Sequence, residues 1–300
     1  MPIMQLHLNM IDTIDNYYEL LSGSESRPSK LFVISPDDTY SGPKAHPDSN
    51  QVQFSKPFIS SLWAIIYGFL VTGDGPSTDI TPTSLTHTDV NKATQMIDWG
   101  LSLSKNITKW PYGLPEPRTR RRYVEVANEI FLNAFSYLFF HELCHLKNNH
   151  KNSIIPQSKD VVQQQINMMI ETEADNESLD ILLANLETEN EIYQRIAGCV
   201  FAILASLILY NPYTIIQDNH PDTDERLLRI LHIAETACPK RYNLLCYSSV
   251  HAIGSYWCFH FGENDFVNRV KNEPNSKLNI SDALKYYMNQ IEKYKNYERA

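Results

Sequence analysis

The residues best suited to chemistry are two histidines, His141 and His145, which lie four positions apart in the segment His-Glu-Leu-Cys-His. Because four residues span slightly more than one helical turn, both imidazoles leave the same face of a helix and can bind one metal ion. Glu142 lies about 100° further round the helix, beside a water molecule on the metal. This is the geometry that a water-activating metallopeptidase needs. The alternative, two histidines on an exposed helix, is opposed by the apolar residues at 137–140.

A third ligand is expected from a carboxylate further along the chain. Glu171 and Asp175 are again four residues apart, so Glu171 can bind the metal while Asp175 accepts the Nδ1 proton of a ligating histidine. The alternative is an acidic, solvated helix face that also includes Glu173 and Glu177. A histidine as third ligand is disfavoured, because His150 is one residue out of register with the spacing of such sites.

These motifs carry a family resemblance. HExxH followed by ExxAD resembles the gluzincin clan of zinc peptidases, and the segment from His141 to His150 resembles the HtpX-type and CAAX-prenyl-type peptidases. The segment from His220 to Arg226 is similar to the HPxTxxR segment of the same families. Among soluble relatives of this length, the chain resembles the phage-exclusion peptidase Lit group, whose member acts on an elongation factor during phage infection. The matching motifs cover about residues 141 to 226.

The resemblance implies one Zn²⁺ ion per chain, bound by His141, His145 and Glu171. It also implies that Glu142 is the general base and that Asp175 orients a ligand. The same roles follow from the spacing, since a carboxylate beside the metal can take a proton from attacking water and return it to the leaving amine.

Three further residues are candidates for the site. The resemblance indicates His220 and Arg226, and the hydroxyl group of Tyr213 makes it the third. The residue before a proline is pushed out of helical geometry, so His220 is expected on a loop, and Asp222 or Thr223 can cap the helix that carries Arg226. His220 could then occupy the open fourth position of the resting metal or donate to the oxyanion, with Arg226 as support. The alternative is a helix-capping turn with a surface histidine. Tyr213 could supply another oxyanion donor, although packing is the commoner use of a tyrosine.

The elements that position these residues are mainly helices. The fold class is mainly α (α+β), a zincin-like core of long helices with a small antiparallel β ribbon. Residues 1–117 are expected to form a loop-rich region with the ribbon, at 31–34 and 51–55, and two helices, at 58–71 and after Asp89. Residues 118–300 form the helical zinc-peptidase core, or one continuous domain with the first region. Its helices are expected at about 122–149, 160–187, 191–210, 223–237, 242–260 and 281–297.

Net charge, cysteine content and the length of the apolar runs exclude some classes of protein and predict where in the cell this protein lies. The formal net charge of -9 works against a protein that binds nucleic-acid phosphates. Five cysteines without a CxxC pair indicate reduced thiols in the cytoplasm rather than disulfides or a cysteine zinc site. The first 21 residues lack the pattern of a signal peptide. The apolar runs at 58–71 and 196–210 are shorter than the roughly 18 residues of a membrane span, so no stable span is expected. A short interfacial helix is the alternative.

The predicted function is that of a cytoplasmic zinc endopeptidase that hydrolyses a protein or peptide substrate and takes part in abortive infection. The alternatives are a catalytically inactive scaffold with this fold, a peptidase that cleaves a repressor, and a small membrane-attached protein. No propeptide is recognisable, so control by an activator peptide or protein, or by restricted access to the site, is expected.

Overall fold

The computed structural model describes residues 1–22, 27–36, 38–73, 86–150, 160–209, 221–261 and 280–298. The α-helices of these residues are α1 (His7–Ser22), α2 (Lys56–Thr72), α3 (His87–Ser102), α4 (Arg122–Lys147), α5 (Val161–Leu183), α6 (Glu189–Leu209), α7 (Thr223–Ala237), α8 (Tyr242–Phe261) and α9 (Ile280–Glu298). Short 3-10 helices span Pro2–Leu6 and Pro28–Leu31. The strands are β1 (Phe32–Ile34), β2 (Lys44–His46) and β3 (Gln51–Phe54). The mainly α class with a small β component is therefore confirmed.

Helix α4 is the central element of the fold, and it packs against α2, α5 and α6. Its side chains are apolar on nearly every face, and the helix is accordingly buried along almost its whole length from Val124 to His145. The contact with α6 is close at Gly198, where a Cβ atom would lie 2.8 Å from the backbone nitrogen of Ala134. Only glycine permits this approach of two helix backbones.

The small sheet is mixed, with strand order β1-β3-β2. β1 pairs with β3 in parallel, and β2 pairs with β3 antiparallel. The two predicted segments thus pair with each other, but the expectation of an antiparallel ribbon was wrong because β2, which was not predicted, intervenes along the chain. A parallel pair needs a connection of about a dozen residues or more, and the chain between Ile34 and Gln51 provides it. Phe32 and Phe54 then pack against Phe135 of α4.

Two helices differ from the prediction: α3 has another N-cap residue, and α1 was not predicted. The N-cap of α3 is Thr86, and Asp89 completes a capping box at the third helical position, so the helix begins two residues before Asp89. Helix α1 had no counterpart among the predicted elements. The division of the chain near residue 117 stays a prediction.

The C-terminal helix is fastened to the start of α7 by a buried lysine. Lys295 is 2% exposed, and its ammonium lies 2.7 Å from Asp222 Oδ2 and 3.2 Å from Asp224 Oδ2. Asp222 occupies the N-cap position of α7 without a side-chain capping hydrogen bond. The expected cap at Asp222 is therefore replaced by an ion pair, which places the first turn of α7 against α9.

Among the described helices, α6 is long and apolar enough to cross a membrane. However, 72% of its most apolar window is buried inside the protein, and α6 packs against α4 and α7. This burial favours a core helix. The expected lack of a membrane span stays a prediction.

Candidate metal centre

Three buried side chains that were predicted as metal ligands converge at one point. His141 and His145 project from α4, and Glu171 projects from α5. The two Nε2 atoms lie 3.2 Å apart, and the Glu171 oxygens lie 3.1 Å from Nε2 of His141 and 3.5 Å from Nε2 of His145. Their ligand atoms all lie within 4.8 Å of one another. These residues could hold one metal ion.

The local sequence explains why the carboxylate meets the histidines. α5 begins at an N-cap, Asp160, whose carboxylate accepts from the backbone N–H groups of Val162 and Gln163. The helix then packs along α4, and its buried face includes Ile170, Glu171 and residues at 174, 175 and 178. Glu171 is only 5% exposed. A carboxylate is rarely buried in this way unless it is paired or binds a cation.

Asp175 is the hydrogen-bond acceptor behind the first histidine. Its Oδ1 lies 3.0 Å from Nδ1 of His141 and accepts from the hydroxyl of Tyr137 at 2.8 Å. Arg226 donates to both carboxylate oxygens, at 2.9 and 2.7 Å, and Arg229 donates at 2.7 Å. Burial opposes ionisation, but the charges of Arg226 and His141 outweigh it and hold the pKa of Asp175 well below its usual range. Asp175 is therefore an anion that keeps the Nδ1 proton on His141, which leaves Nε2 to face the site.

Arg226 forms an ion pair with Asp175 inside the protein. Its guanidinium contacts Asp175, and its side chain is 12% exposed. This places Arg226 behind the candidate ligands, where it supports Asp175. Direct support of a substrate or oxyanion by Arg226 stays a prediction that these contacts do not favour.

The donor set fits a catalytic transition-metal site. Two imidazole nitrogens and one carboxylate are a set that zinc uses in catalytic sites, where a fourth position stays open for water. Burial disfavours a proton on His141, but Asp175 and Glu171 outweigh burial and raise the pKa of His141 to about 10. A cation that binds Nε2 of His141 must therefore displace a proton at neutral pH. The identity of the metal stays a prediction.

Glu142 lies beside these ligands at the boundary between α4 and the sheet. It is partly buried, and its Oε2 accepts a hydrogen bond of 2.7 Å from the backbone N–H of Ala45 in β2. Because this N–H is directed at α4, it is not used in pairing with β3. The sheet therefore borders the site through β2, an edge strand, rather than through the two predicted segments alone. The role of Glu142 as a base stays a prediction.

His150 is a neighbour of the site that the sequence did not place there. It is 5% exposed, and its Nδ1 lies 3.0 Å from Nδ1 of His145. Its Nε2 lies 3.6 Å from Oε2 of Glu173. Burial and the neighbouring His145 lower the pKa of His150. The signal that could have located His150 is the pair Asn148-Asn149, since asparagine often ends a helix in the left-handed conformation.

Comparison with known proteins identifies the family at this point. The profile of the family described as Peptidase U49 matches residues 52–240, which is more than half of the chain. This chain belongs to the Peptidase U49 family. A protein of Escherichia coli (strain K12), named Cell death peptidase, is 29% identical over 149 residues, and the alignment covers 46% of this chain and 46% of that protein. No solved structure matches.

The family match includes every candidate site residue. His141, Glu142, His145, Glu171 and the residues around them lie within the stretch that the Peptidase U49 profile covers. It also covers His220 and Tyr213, which lie outside the described residues. Their predicted roles as plug or oxyanion donors stay predictions.

Proposed function

We propose that this member of the Peptidase U49 family is a zinc-dependent endopeptidase whose ion is held by His141, His145 and Glu171. The observation that carries the proposal is the convergence of these three buried groups on one point, with the carboxylate of Glu142 on the adjacent helix face. A zinc ion bound there would supply Lewis acidity toward water and toward a peptide carbonyl.

The chain's own residues would perform the proton transfers and the orientation. Glu142 takes a proton from the attacking water and returns it to the amine that leaves when the peptide bond breaks. Asp175, itself held by Arg226 and Arg229, keeps His141 in the tautomer and direction that binding through Nε2 requires. The ligands are thus held in place before the substrate arrives, which lowers the cost of reaching the transition state.

The edge strand β2 is the proposed support for the substrate. Ala45 contacts Glu142 through its backbone N–H, so an extended peptide that adds to this edge would pass beside the proposed base. Main-chain pairing of this kind holds a peptide without strong sequence preference. In this proposal β2, and not the segments 31–34 and 51–55, is the strand beside the substrate.

The biological setting is proposed from the relatives. The name of the Escherichia coli relative, Cell death peptidase, supports a role for this chain in which peptidase activity leads to cell death. We accordingly propose a cytoplasmic protein substrate, an abortive-infection role and control by an activator peptide or protein. An inactive scaffold is disfavoured because Glu142, the group on which the proposed hydrolysis depends, is present.

The test compares Glu142→Gln with wild type and with Glu129→Gln, which changes an exposed glutamate on the same helix. Each protein is expressed in Escherichia coli, its metal content is measured by mass spectrometry, and new protein N-termini are mapped across the proteome. Glu142→Gln is expected to retain its metal and to lose cleavage by roughly three powers of ten, because an amide cannot take the proton. Glu129→Gln is expected to match wild type. Equal cleavage by Glu142→Gln and wild type would contradict the assignment of Glu142.

The ligand set is tested separately by metal content. Glu171→Ala should bind zinc more weakly than wild type, whereas Asp180→Ala, an exposed carboxylate on the same helix, should bind it normally. Full zinc occupancy in Glu171→Ala would show that another carboxylate is the third ligand. Glu173 and Glu177 would then be tested first.

A further inference from the structure

His150 reaches the site because the chain turns back at the end of α4. If the helix continued, residue 150 would point about 140° away from His145 around the helix axis. Instead, α4 ends at Lys147, and Asn149 adopts a left-handed conformation with φ of 53°. Asparagine tolerates this conformation better than most residues. The turn brings the His150 imidazole over the last turn of α4 and buries it against His145.

The contact between the two imidazoles requires one donor and one acceptor. The Nδ1 atoms are 3.0 Å apart, and the rings meet at 71° with centroids 5.2 Å apart. Nε2 of His145 faces His141 and Glu171, so it must be unprotonated to bind a metal. The proton of neutral His145 then resides on Nδ1 and is donated to Nδ1 of His150.

The same reasoning places the proton of His150. Because its Nδ1 accepts, a neutral His150 carries its proton on Nε2. That atom lies 3.6 Å from Oε2 of Glu173, whose side chain is 58% exposed. The three groups thus form a line from the buried site to the surface, with a hydrogen bond between the two imidazoles and the carboxylate of Glu173 near the outer nitrogen.

We propose that His150 is a positioning residue that fixes the tautomer and the ring orientation of His145, with the carboxylate of Glu173 near the outer nitrogen of His150. The proposal rests on the proposed metal site. It gives the two histidine ligands different supports: a carboxylate held by two arginines stands behind His141, and a neutral imidazole stands behind His145. His150 itself would not be a ligand of the ion, since the group of potential ligands comprises only His141, His145 and Glu171 among the described residues.

The test measures the binding of Zn²⁺ and Co²⁺ by chelator competition and records the Co²⁺ absorption spectrum. His150→Ala should lower metal affinity by roughly 10 to 100-fold, the usual effect of removing the partner of a ligating histidine. His150→Asn should restore most of the affinity, because its Oδ1 can accept at the position of Nδ1. His232→Ala, a change at an exposed histidine on α7, should bind metal as wild type does.

Further variants separate positioning from packing and from ligation. Thermal unfolding of the metal-free proteins should show that His150→Asn is as stable as wild type, and the cobalt spectrum of this variant should match wild type. Glu173→Gln should weaken binding less than His150→Ala does, because it removes only the carboxylate charge near Nε2 of His150.

Three outcomes would overturn the proposal. If His150→Ala binds metal as wild type does while Glu171→Ala binds weakly, the positioning role fails and the proposed function stands. A loss in His150→Ala as complete as in His141→Ala, without rescue by His150→Asn, would make His150 a ligand instead. If wild type binds neither Zn²⁺ nor Co²⁺, the proposed function fails and the positioning role fails with it.

Discussion

Replacing Asp175 with asparagine removes the negative charge that four donors share. His141, Tyr137, Arg226 and Arg229 all direct a hydrogen at this carboxylate, which is 1% exposed. Removing one partner of a buried ion pair costs about 3 to 5 kcal/mol, because the remaining charge stays buried without compensation. Asparagine keeps one acceptor oxygen, so a loss near the lower end, about 3 kcal/mol, is expected. For a chain of 300 residues, the loss lowers Tm by roughly 5 °C.

The pH dependence of this loss has a defined sign. The pKa of Asp175 is lowered in the folded protein, so its contribution to stability is fully present above its unfolded value, about 3.9. The contribution decreases as the pH falls below that value toward the folded pKa. The part of the difference between wild type and Asp175→Asn that comes from this carboxylate's own titration should therefore shrink in acid. Because Asp175 also raises the pKa of His141, the difference should in addition decrease as the pH rises above about 6.5, the unfolded value of a histidine.

The assay is urea unfolding of the metal-free proteins, followed by circular dichroism in the presence of a chelator. Asp180→Asn makes the same substitution at an exposed position of α5 and should change stability by less than about 0.5 kcal/mol. The double variant Asp175→Asn/Arg226→Met should recover part of the loss, because it also removes the uncompensated guanidinium. Equal stability of Asp175→Asn and wild type would refute the ion-pair reasoning. Zinc affinity, measured separately, should fall roughly 10 to 100-fold.

Three other predictions concern the elements around the site. Lys295→Met should destabilise the protein by about 3 kcal/mol in urea unfolding, because buried carboxylates lose their cation. Lys293→Met, at an exposed position, should leave stability unchanged. Equal unfolding midpoints for Lys295→Met and wild type would show that the ion pair does not hold α9 against α7. Gly198→Ala should cost at least roughly 1 to 3 kcal/mol by overpacking α4 against α6, and an unchanged midpoint would contradict that contact. Cys144 is 1% exposed, and burial together with Glu177 raises its thiol pKa. Iodoacetamide should therefore label Cys144 only after unfolding, as measured by peptide mass spectrometry. Fast labelling in the native protein would contradict its burial.

The long helices could be predicted because local signals mark their ends. Helices α4 to α9 begin and end close to the predicted positions, since prolines occupy or flank the gaps between them and apolar residues recur with helical spacing. Helix α1 was not predicted, although half of its residues are apolar or aromatic and Met10 and Ile14 are fully buried. β2 is three residues long and lacks an alternating pattern, so only its pairing with β3 defines it.

The candidate site was predictable where its residues share one helix face. The spacing of four positions is enough to place His141 and His145 together on α4, and Glu171 and Asp175 together on α5. The approach of these two helices and the contact of Arg229 with Asp175 depend on tertiary packing, which no local pattern encodes. The contact of His150 with the site likewise depends on a turn whose left-handed residue could not be read from helical spacing.

The assignment of His141, His145 and Glu171 as the zinc ligands of a peptidase is tested most directly by anomalous diffraction. Crystals of the purified protein are measured at the zinc absorption edge. The predicted result is one strong peak at roughly 2.0 to 2.2 Å from Nε2 of each histidine and from a carboxylate oxygen of Glu171. A map with no peak between α4 and α5, or with its peak at other side chains, would contradict the assignment.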